Sequence, residues 1–357
     1  MRILHVDTAS GWRGGQNQVL LAALGMARLG HEVAMACRRG GALEARARAA
    51  GLNVHALAFG GDLKPAGLLG LFRLVRRLRP DVLQLHDPHA ISAGVLATRG
   101  RAPALLVATR RVDFPLKGWP SRLKYRACRR VVATSGAIRS VLERDGLDPA
   151  CLRLVYEGVP DRAPQPGGRE ALAALGVPLS APVVGNVAAL SDHKDQRTLL
   201  LAAPEVLRRV PEARFVIVGD GELRPALERL AGELGLGGRC TFAGFRDDLD
   251  RLIPAFDVFC LSSHMEGLGT SLLDAMCFAR AIVATAAGGI PEAVLDGETG
   301  RVVPVRDPLA LAAALGDVLS DEARQRAYGA AGRRRFERQF TAERMVSESL
   351  RVFEEAA

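Results

Sequence analysis

The densest run of chemically able residues is Ser262-Ser263-His264-Met265-Glu266-Gly267-Leu268-Gly269-Thr270-Ser271-Leu272-Leu273-Asp274, which follows the apolar stretch Val258 to Leu261. A glycine-containing loop that opens a helix leaves the backbone N–H groups of Gly267, Leu268, Gly269 and Thr270 free. Such groups bind an anion such as a diphosphate without a basic side chain. Glu266, just ahead of them, is placed to accept hydrogen bonds from sugar hydroxyls. Asp274 comes eight residues later, about two helical turns, and returns a carboxylate suited to two vicinal hydroxyls, as a ribose offers. A capped turn followed by a solvated helix residue accounts for the same residues equally well.

Two further loops carry suitable groups. His86-Asp87-Pro88-His89 follows the apolar run Val82 to Leu85. A loop histidine titrates near neutral pH and can hydrogen-bond a sugar hydroxyl or an acceptor, which makes His86 the candidate, while His89 reads as a helix N-terminal residue. Gly11-Trp12-Arg13-Gly14-Gly15-Gln16 lies between the first apolar run and the first amphipathic segment. Adjacent glycines there let the backbone approach a phosphate closely, and a plain turn would not require both.

These loops need a scaffold, and the rest of the chain supplies one. Short apolar runs alternate with amphipathic segments throughout, the pattern of parallel strands joined by crossover helices. Strands are expected at Ile3–Val6, Glu32–Ala36, Val54–Leu57, Val82–Leu85, Ala104–Ala108 and Arg130–Thr134, with helices at Gln16–Leu29, Leu43–Ala50, Ala66–Leu78 and Ser135–Glu143. Residues 157–168 concentrate Pro and Gly without periodicity and read as a linker. The alternation then restarts, with strands at Val183–Val187, Arg214–Val218, Cys240–Ala243, Val258–Leu261, Ile282–Ala284 and Gly300–Val303. Two α/β domains of Rossmann-like type are expected, 1–163 and 164–340. Residues 341–357 form a final helix that packs back on the first, within a helical tail from about Pro308. Two such domains in tandem leave a cleft between the C-terminal ends of their sheets, where open α/β sheets bind ligands.

Composition narrows the class. Hydrophobic residues make up 48% of 357 and charged residues 24%, a globular balance. No apolar run approaches the roughly 20 residues that span a bilayer. Met1 to Asp7 lacks the long apolar core of a signal peptide and reads as the first strand of a cytoplasmic protein. Cys37, Cys128, Cys151, Cys240, Cys260 and Cys277 show no metal-ligand spacing and read as reduced residues. Residues 1–165 carry 26 Lys and Arg against 12 Asp and Glu, whereas the remainder carries 22 against 27. In the basic half, Arg110, Arg111, Lys117, Arg122, Lys124 and Arg126 interleave with Phe114, Trp119 and Tyr125. With Arg73, Arg76, Arg77 and Arg79 they suit the anionic face of a membrane. A solvated surface explains them about as well, and no nucleic-acid reader motif is present.

The segment EGLGTSLLDAM from Glu266 to Met276 resembles the E-x7-E signature of family 4 retaining glycosyltransferases, EG(L/F)-x-x-x-x-LEA(M/L). That resemblance implies that Glu266 binds donor-sugar hydroxyls and that Asp274, one methylene shorter than the usual Glu, binds the nucleotide ribose. Ala281 to Glu292 with Asp296 to Gly300 resembles the family's PVVAT-x-x-GG-x-x-E and DG-x-x-G pattern, in which Gly288 and Gly289 make a tight turn. Gly185 to Asp195 resembles the donor loop G-x-x-GRL-x-x-x-KG, which implies that Lys194 holds the donor phosphates. The family's Arg falls on Ala189, so the helix N-terminus, His193 or another basic residue must complete the clamp. Val216 to Glu222 resembles the VG-x-G element near the nucleotide, with Gly219 and Gly221. Ala243 to Leu249 resembles the segment bordering the base, where Phe245 or Arg246 could stack and a packed Phe is the simpler reading. Gly11 to Gln16 is similar to the GG(A/Q) loop, implying donor and acceptor contact for Gly14 and Gly15, and His86-Asp87-Pro88 resembles the loop of members that use lipid acceptors.

The matches cover nearly the whole chain in the family's order. They imply a GT-B fold, two Rossmann-like domains facing across a cleft, and a retaining transfer of a sugar from a nucleoside diphosphate to a glycolipid or polysaccharide of the bacterial envelope, such as lipopolysaccharide. Glu266, His86 and Lys194 would carry it at the cytoplasmic face of a membrane, without a cofactor. In a front-face reaction the leaving phosphate takes the acceptor proton, so no protein nucleophile is needed. Asp248-Leu249-Asp250 spells a metal-binding DxD but falls at a helix start, where capping is the expected role; no metal is expected. A nucleotide-sugar 2-epimerase and a non-catalytic nucleotide- or glycan-binding protein share the fold and remain alternatives.

Overall fold

The computed structural model describes residues 1–60, 64–98 and 105–356. The chain divides into two compact units, Met1–Val159 together with Ala342–Ala357, and Pro160–Thr341. The division falls a few residues ahead of the expected 163, and the final helix Ala342–Glu354 is counted with the first unit.

In the first unit, β1 (Arg2–Asp7), β2 (Glu32–Arg38), β3 (Asn53–Leu57), β4 (Val82–Leu85), β5 (Leu105–Arg110), β6 (Arg130–Ala133) and β7 (Leu152–Leu154) form one parallel sheet in the order β3-β2-β1-β4-β5-β6-β7. Both faces are covered, so the strands read as near-continuous apolar runs rather than alternating ones. Ile3, Val82 and Val107 face the helices Gly14–Arg28 and Ala342–Glu354 through Val19, Met26, Met345 and Phe353. Leu4, Leu83 and Ala108 face the opposite layer with Leu71, Ile91 and Ile138. The expected residue Ala104 lies outside the described residues. Strand β7 and the helices Pro88–Thr98 and Gly118–Arg126 are additions to the sequence reading: the first is only three residues long, and the helices lack a clear apolar stripe.

In the second unit, β8 (Val183–Val187), β9 (Arg214–Val218), β10 (Cys240–Gly244), β11 (Val258–Leu261), β12 (Ala281–Thr285) and β13 (Arg301–Val303) form a parallel sheet ordered β10-β9-β8-β11-β12-β13. Helices Gln196–Arg209 and Pro308–Leu319 bury Leu199, Val206, Leu311 and Leu315 on one face. The strand order reverses between β1 and β4 in the first sheet and between β8 and β11 in the second. Loops leaving those strands therefore diverge and open a crevice, the usual ligand position of such sheets. All six cysteines are free thiols. Among the described residues no helix is long and apolar enough to cross a membrane.

Candidate functional site

At the switch point of the second sheet, the loops after β8 and β11 are stitched together. The amide of His264 donates to the His193 carbonyl at 3.0 Å, and Ser262 Oγ donates to the Lys194 carbonyl at 3.3 Å. Asp195, held at φ 45°, caps the helix Gln196–Arg209 by accepting from the Thr198 amide at 3.3 Å, and also accepts from Thr198 Oγ1 at 2.6 Å. That fixes Lys194 two residues before the helix, next to its N-cap. Its Nζ then donates to Glu266 Oε2 in a direct ion pair whose side chains are 18% and 11% exposed. Ser263 Oγ donates to the same carboxylate oxygen at 3.2 Å, and the Gly289 amide donates to the Glu266 carbonyl at 3.2 Å, with Gly288 at φ 49° making the turn that brings it there.

The helix Thr270–Cys277 begins immediately after, with Gly269 at φ 87° as its N-cap and no side-chain cap. The amides of Gly267, Leu268, Gly269 and Thr270 make no hydrogen bond within the described residues. Expected site groups therefore converge here: a cation, a carboxylate and a set of unspent amides. Ala189 is exposed and contributes only its carbonyl, which accepts from Gln196 Nε2 at 3.0 Å. The imidazole of His193 lies 3.3 Å from Ser191 Oγ.

Gly219 and Gly221 have a packing reason of their own. A Cβ on Gly219, at φ 133°, would sit 2.0 Å from the Ala188 carbonyl oxygen, and one on Gly221 would sit 2.3 Å from that of Leu190. Both glycines let the end of β9 press against the loop that carries Lys194. Two expectations nearby are revised. Phe245 is 59% exposed rather than packed. Asp248 stands at the N-cap of Leu249–Leu252 but makes no capping bond, because its carboxylate is held by Arg246 at 2.8 and 2.7 Å.

Asp274 is not joined to the Glu266 cluster by any hydrogen bond within the described residues. Its Oδ1 accepts from Arg162 Nη2, and Arg162 Nη1 donates to Asp250 Oδ1 at 2.6 Å. Burial pushes the Asp274 carboxyl up to about 6, against the pull of the Arg162 guanidinium. The alternative of a solvated helix residue is thereby set aside.

In the first unit, Gly14 and Gly15 open the helix Gly14–Arg28, whose N-cap Arg13 makes no side-chain bond. A Cβ on Gly15 would lie 3.6 Å from Arg111 Cδ. Arg111 donates through Nε to Glu157 Oε1 at 3.0 Å and through Nη1 to His86 Nδ1 at 3.2 Å. Because a guanidinium only donates, His86 carries its proton on Nε2, which donates to His5 Nδ1 at 2.9 Å. The proton of His5 then rests on Nε2, which is buried without a partner. His86 was expected to offer a ring nitrogen to substrate, and this is revised: it is 5% exposed with both nitrogens occupied. His89 does stand at the helix start, with Asp87 Oδ1 accepting from its amide at 2.8 Å.

Desolvation lowers both imidazoles, His5 to about 3 and His86 well below its usual value, with Arg111 adding to the effect. The folded chain thus binds fewer protons at these rings than the unfolded chain, whose histidines titrate near 6.5, so stability falls as pH drops through that value. By pH 5 the loss should reach about 2 kcal/mol for His5 alone, with His86 adding to it. Thermal unfolding followed from pH 7.5 to 5 checks this: the midpoint should fall steadily, and His5→Gln should flatten the slope.

Of the basic and aromatic segment after β5, Arg110 and Tyr125 are core residues. Arg110 is 5% exposed, donating to the Phe114 carbonyl at 2.6 Å and to the Tyr125 hydroxyl at 3.3 Å. Phe114, Lys117, Trp119, Arg122, Leu123 and Arg126 are exposed, Trp119 to 70%. The roles of Ser263, Arg162, Asp250, His5 and Glu157 are not evident from the sequence. The one available signal was polarity at His5 within an otherwise apolar strand.

A model of Glycosyltransferase Family 4 matches residues 12–162 and a model of Glycosyl transferases group 1 matches residues 169–335. The chain is 39% identical over 163 residues to a GDP-mannose-dependent alpha-(1-6)-phosphatidylinositol monomannoside mannosyltransferase of Mycolicibacterium smegmatis, covering 43% of this chain and 42% of that protein. It is 35% identical over 149 residues to a lipopolysaccharide core biosynthesis glycosyltransferase of Rhizobium meliloti, covering 42% and 43% respectively. The matched stretches thus span less than half the length of these curated relatives. In fold it is similar to Anabaena HepE, solved with UDP and glucose (TM-score 0.86, 20% identity, 99% of this chain and 100% of that one), and to the lipopolysaccharide outer core galactosyltransferase WaaB (TM-score 0.76, 15% identity, 100% of both).

Proposed function

We propose that this chain, which belongs to family 4 of the glycosyltransferases and has the GT-B fold, is a retaining hexosyltransferase that moves a sugar from a nucleoside diphosphate to a glycolipid or other envelope glycan. The observation that carries the reading is the Lys194–Glu266 pair set beside the unspent amides of Gly267 to Thr270 at the switch point of the second sheet. In this reading the diphosphate takes Lys194 and those amides, and Glu266 turns to the sugar hydroxyls. Negative charge that grows on the leaving diphosphate is met by groups already in place. Asp274 holds the ribose. Gly219 and Gly221 keep the loop of Lys194 in position. A metal is not part of the proposal, since Arg246 and Arg162 engage the carboxylates of Asp248 and Asp250.

The first unit is proposed to take the acceptor beside Gly14 and Gly15. Arg111 is the polar group presented there, and His86 acts through it by fixing its guanidinium. Relatives whose names specify a phosphatidylinositol mannoside and a lipopolysaccharide core support a lipid-linked acceptor. The exposed Trp119 and Leu123 among Lys117, Arg122 and Arg126 support a peripheral position on an anionic leaflet of the cytoplasmic side.

Incubation with radiolabelled UDP- and GDP-sugars and a bacterial lipid extract tests both parts. Label should pass into lipid from one donor, and the protein should co-sediment with anionic but not neutral vesicles. Nucleotide binding with no turnover across the panel would overturn the enzyme reading, and sedimentation indifferent to lipid charge would overturn the membrane reading.

A further inference from the structure

Arg162 lies in a segment that has no strand or helix before Gly168–Ala173, yet it is firmly placed. On one side, Asp161 accepts from Arg333 Nη1 and Nη2 at 2.7 Å each, and Arg333 Nη1 also donates to the Cys277 carbonyl at 2.8 Å. On the other, the Gln165 amide donates to the Asp250 carbonyl at 2.9 Å. Close packing of the next turn fixes the same strap: a Cβ on Gly168 would sit 2.3 Å from the Arg251 carbonyl oxygen. The segment is thus tied to the C-terminal end of the helix Thr270–Cys277 and to the turn at Asp250. Between those ties the guanidinium of Arg162 lies 5.6 Å from the Phe278 ring centroid and spans Asp250 and Asp274. Only one oxygen of Asp274 is engaged; Oδ2 makes no hydrogen bond within the described residues.

We propose that Arg162 is the positioning residue for the nucleotide: clamped by Asp250, it fixes the short Asp274 carboxylate by one oxygen and leaves the other for the ribose hydroxyls. This rests on the reading of Asp274 as the ribose contact. An aspartate has one fewer torsion and less reach than a glutamate, so a fixed carboxylate compensates by losing less freedom on binding. The same guanidinium opposes the burial that would otherwise neutralise Asp274. Among the described residues, the charged groups around Asp274 are few. Arg162 and Asp250 act on it directly. Arg333, from the helix Glu322–Gln339, is occupied by Asp161 and Glu337. Arg280 is turned to the carbonyls of Phe278, Pro254 and Phe256. Strands β11 and β12 contribute no charged residue.

Calorimetric titration of UDP and GDP into the full chain between pH 5.5 and 8.5 tests the proposal. The unaltered protein should lose affinity as pH falls through about 6, where the Asp274 carboxyl takes up its proton. Arg162→Gln should bind the nucleotide about tenfold more weakly at pH 7, the scale of a lost charge-assisted contact, and its pH dependence should move upward because Asp274 is now easier to protonate. Arg162→Lys should restore most of the affinity and the original profile. Asp274→Asn should be weak and flat across this range. Tighter binding by Arg162→Gln would show that Arg162 competes with the ribose, and an unchanged Kd and pH profile with only a lowered Tm would show a purely structural tie; either overturns the inference. If Asp274→Asn binds as well as the unaltered chain, the ribose assignment itself fails.

Discussion

Glu266→Gln should lower sugar transfer by about 10²- to 10³-fold, the scale of removing one preorganised group at a transition state, while nucleoside diphosphate binding tightens. The two effects part because of the pair with Lys194. In the free protein the ammonium group is held by Glu266 and the carboxylate by Lys194 and Ser263. A diphosphate must first draw Lys194 away, and the neutral amide of Gln holds it less strongly than a carboxylate does. A gain of a few-fold in affinity is expected. Steady-state transfer rates and calorimetry with UDP or GDP measure the two quantities separately. Parallel losses of transfer and of diphosphate affinity would assign Glu266 to the diphosphate rather than to the sugar.

Lys194→Met should damage both quantities at once. It removes the cationic side chain of the candidate donor loop, where Ala189 supplies none, and leaves the carboxylate of Glu266, 11% exposed, with Ser263 as its one remaining side-chain partner among the described residues. Diphosphate affinity should fall at least about tenfold and transfer by about 10²-fold or more. Stability should also fall, because a largely buried carboxylate without its counterion is costly. The double variant Lys194→Met with Glu266→Gln should recover the lost Tm, since no unpaired charge remains, but not the transfer. Additive losses of stability in the double variant would show that the two side chains are not energetically coupled.

Much of this arrangement is legible in the sequence for a physical reason. Parallel strands covered on both faces demand apolar runs such as Val82 to Leu85 and Val258 to Leu261, and these match β4 and β11 residue for residue. The loops that follow such strands at a switch point are where ligands bind, so Glu266 and Lys194 were found on loops that the fold does join. What was not legible depends on side chains that meet across sequence distance. Arg162 stands in a Pro- and Gly-rich stretch that reads as a linker, and nothing local shows that its guanidinium reaches a carboxylate 112 residues away. His86 reads from sequence as free to hydrogen-bond a sugar hydroxyl or an acceptor, because a loop position after a strand is exposed in the general case. Only the register of β1 against β4 places His5 within 2.9 Å of it and removes it from solvent. Arg110 and Tyr125 were drawn into a surface patch by composition, although their mutual hydrogen bond puts both in the core.

The proposed chemistry is transfer of a sugar with retention at the Lys194–Glu266 site. The most direct measurement is the proton NMR anomeric coupling of the linkage formed from an α-configured nucleotide sugar, with Glu266→Gln run alongside. An α-linked product is expected from the unaltered chain and none detectable from the variant in the same time. A β-linked product, or an epimerised nucleotide sugar with no linkage formed, would contradict it.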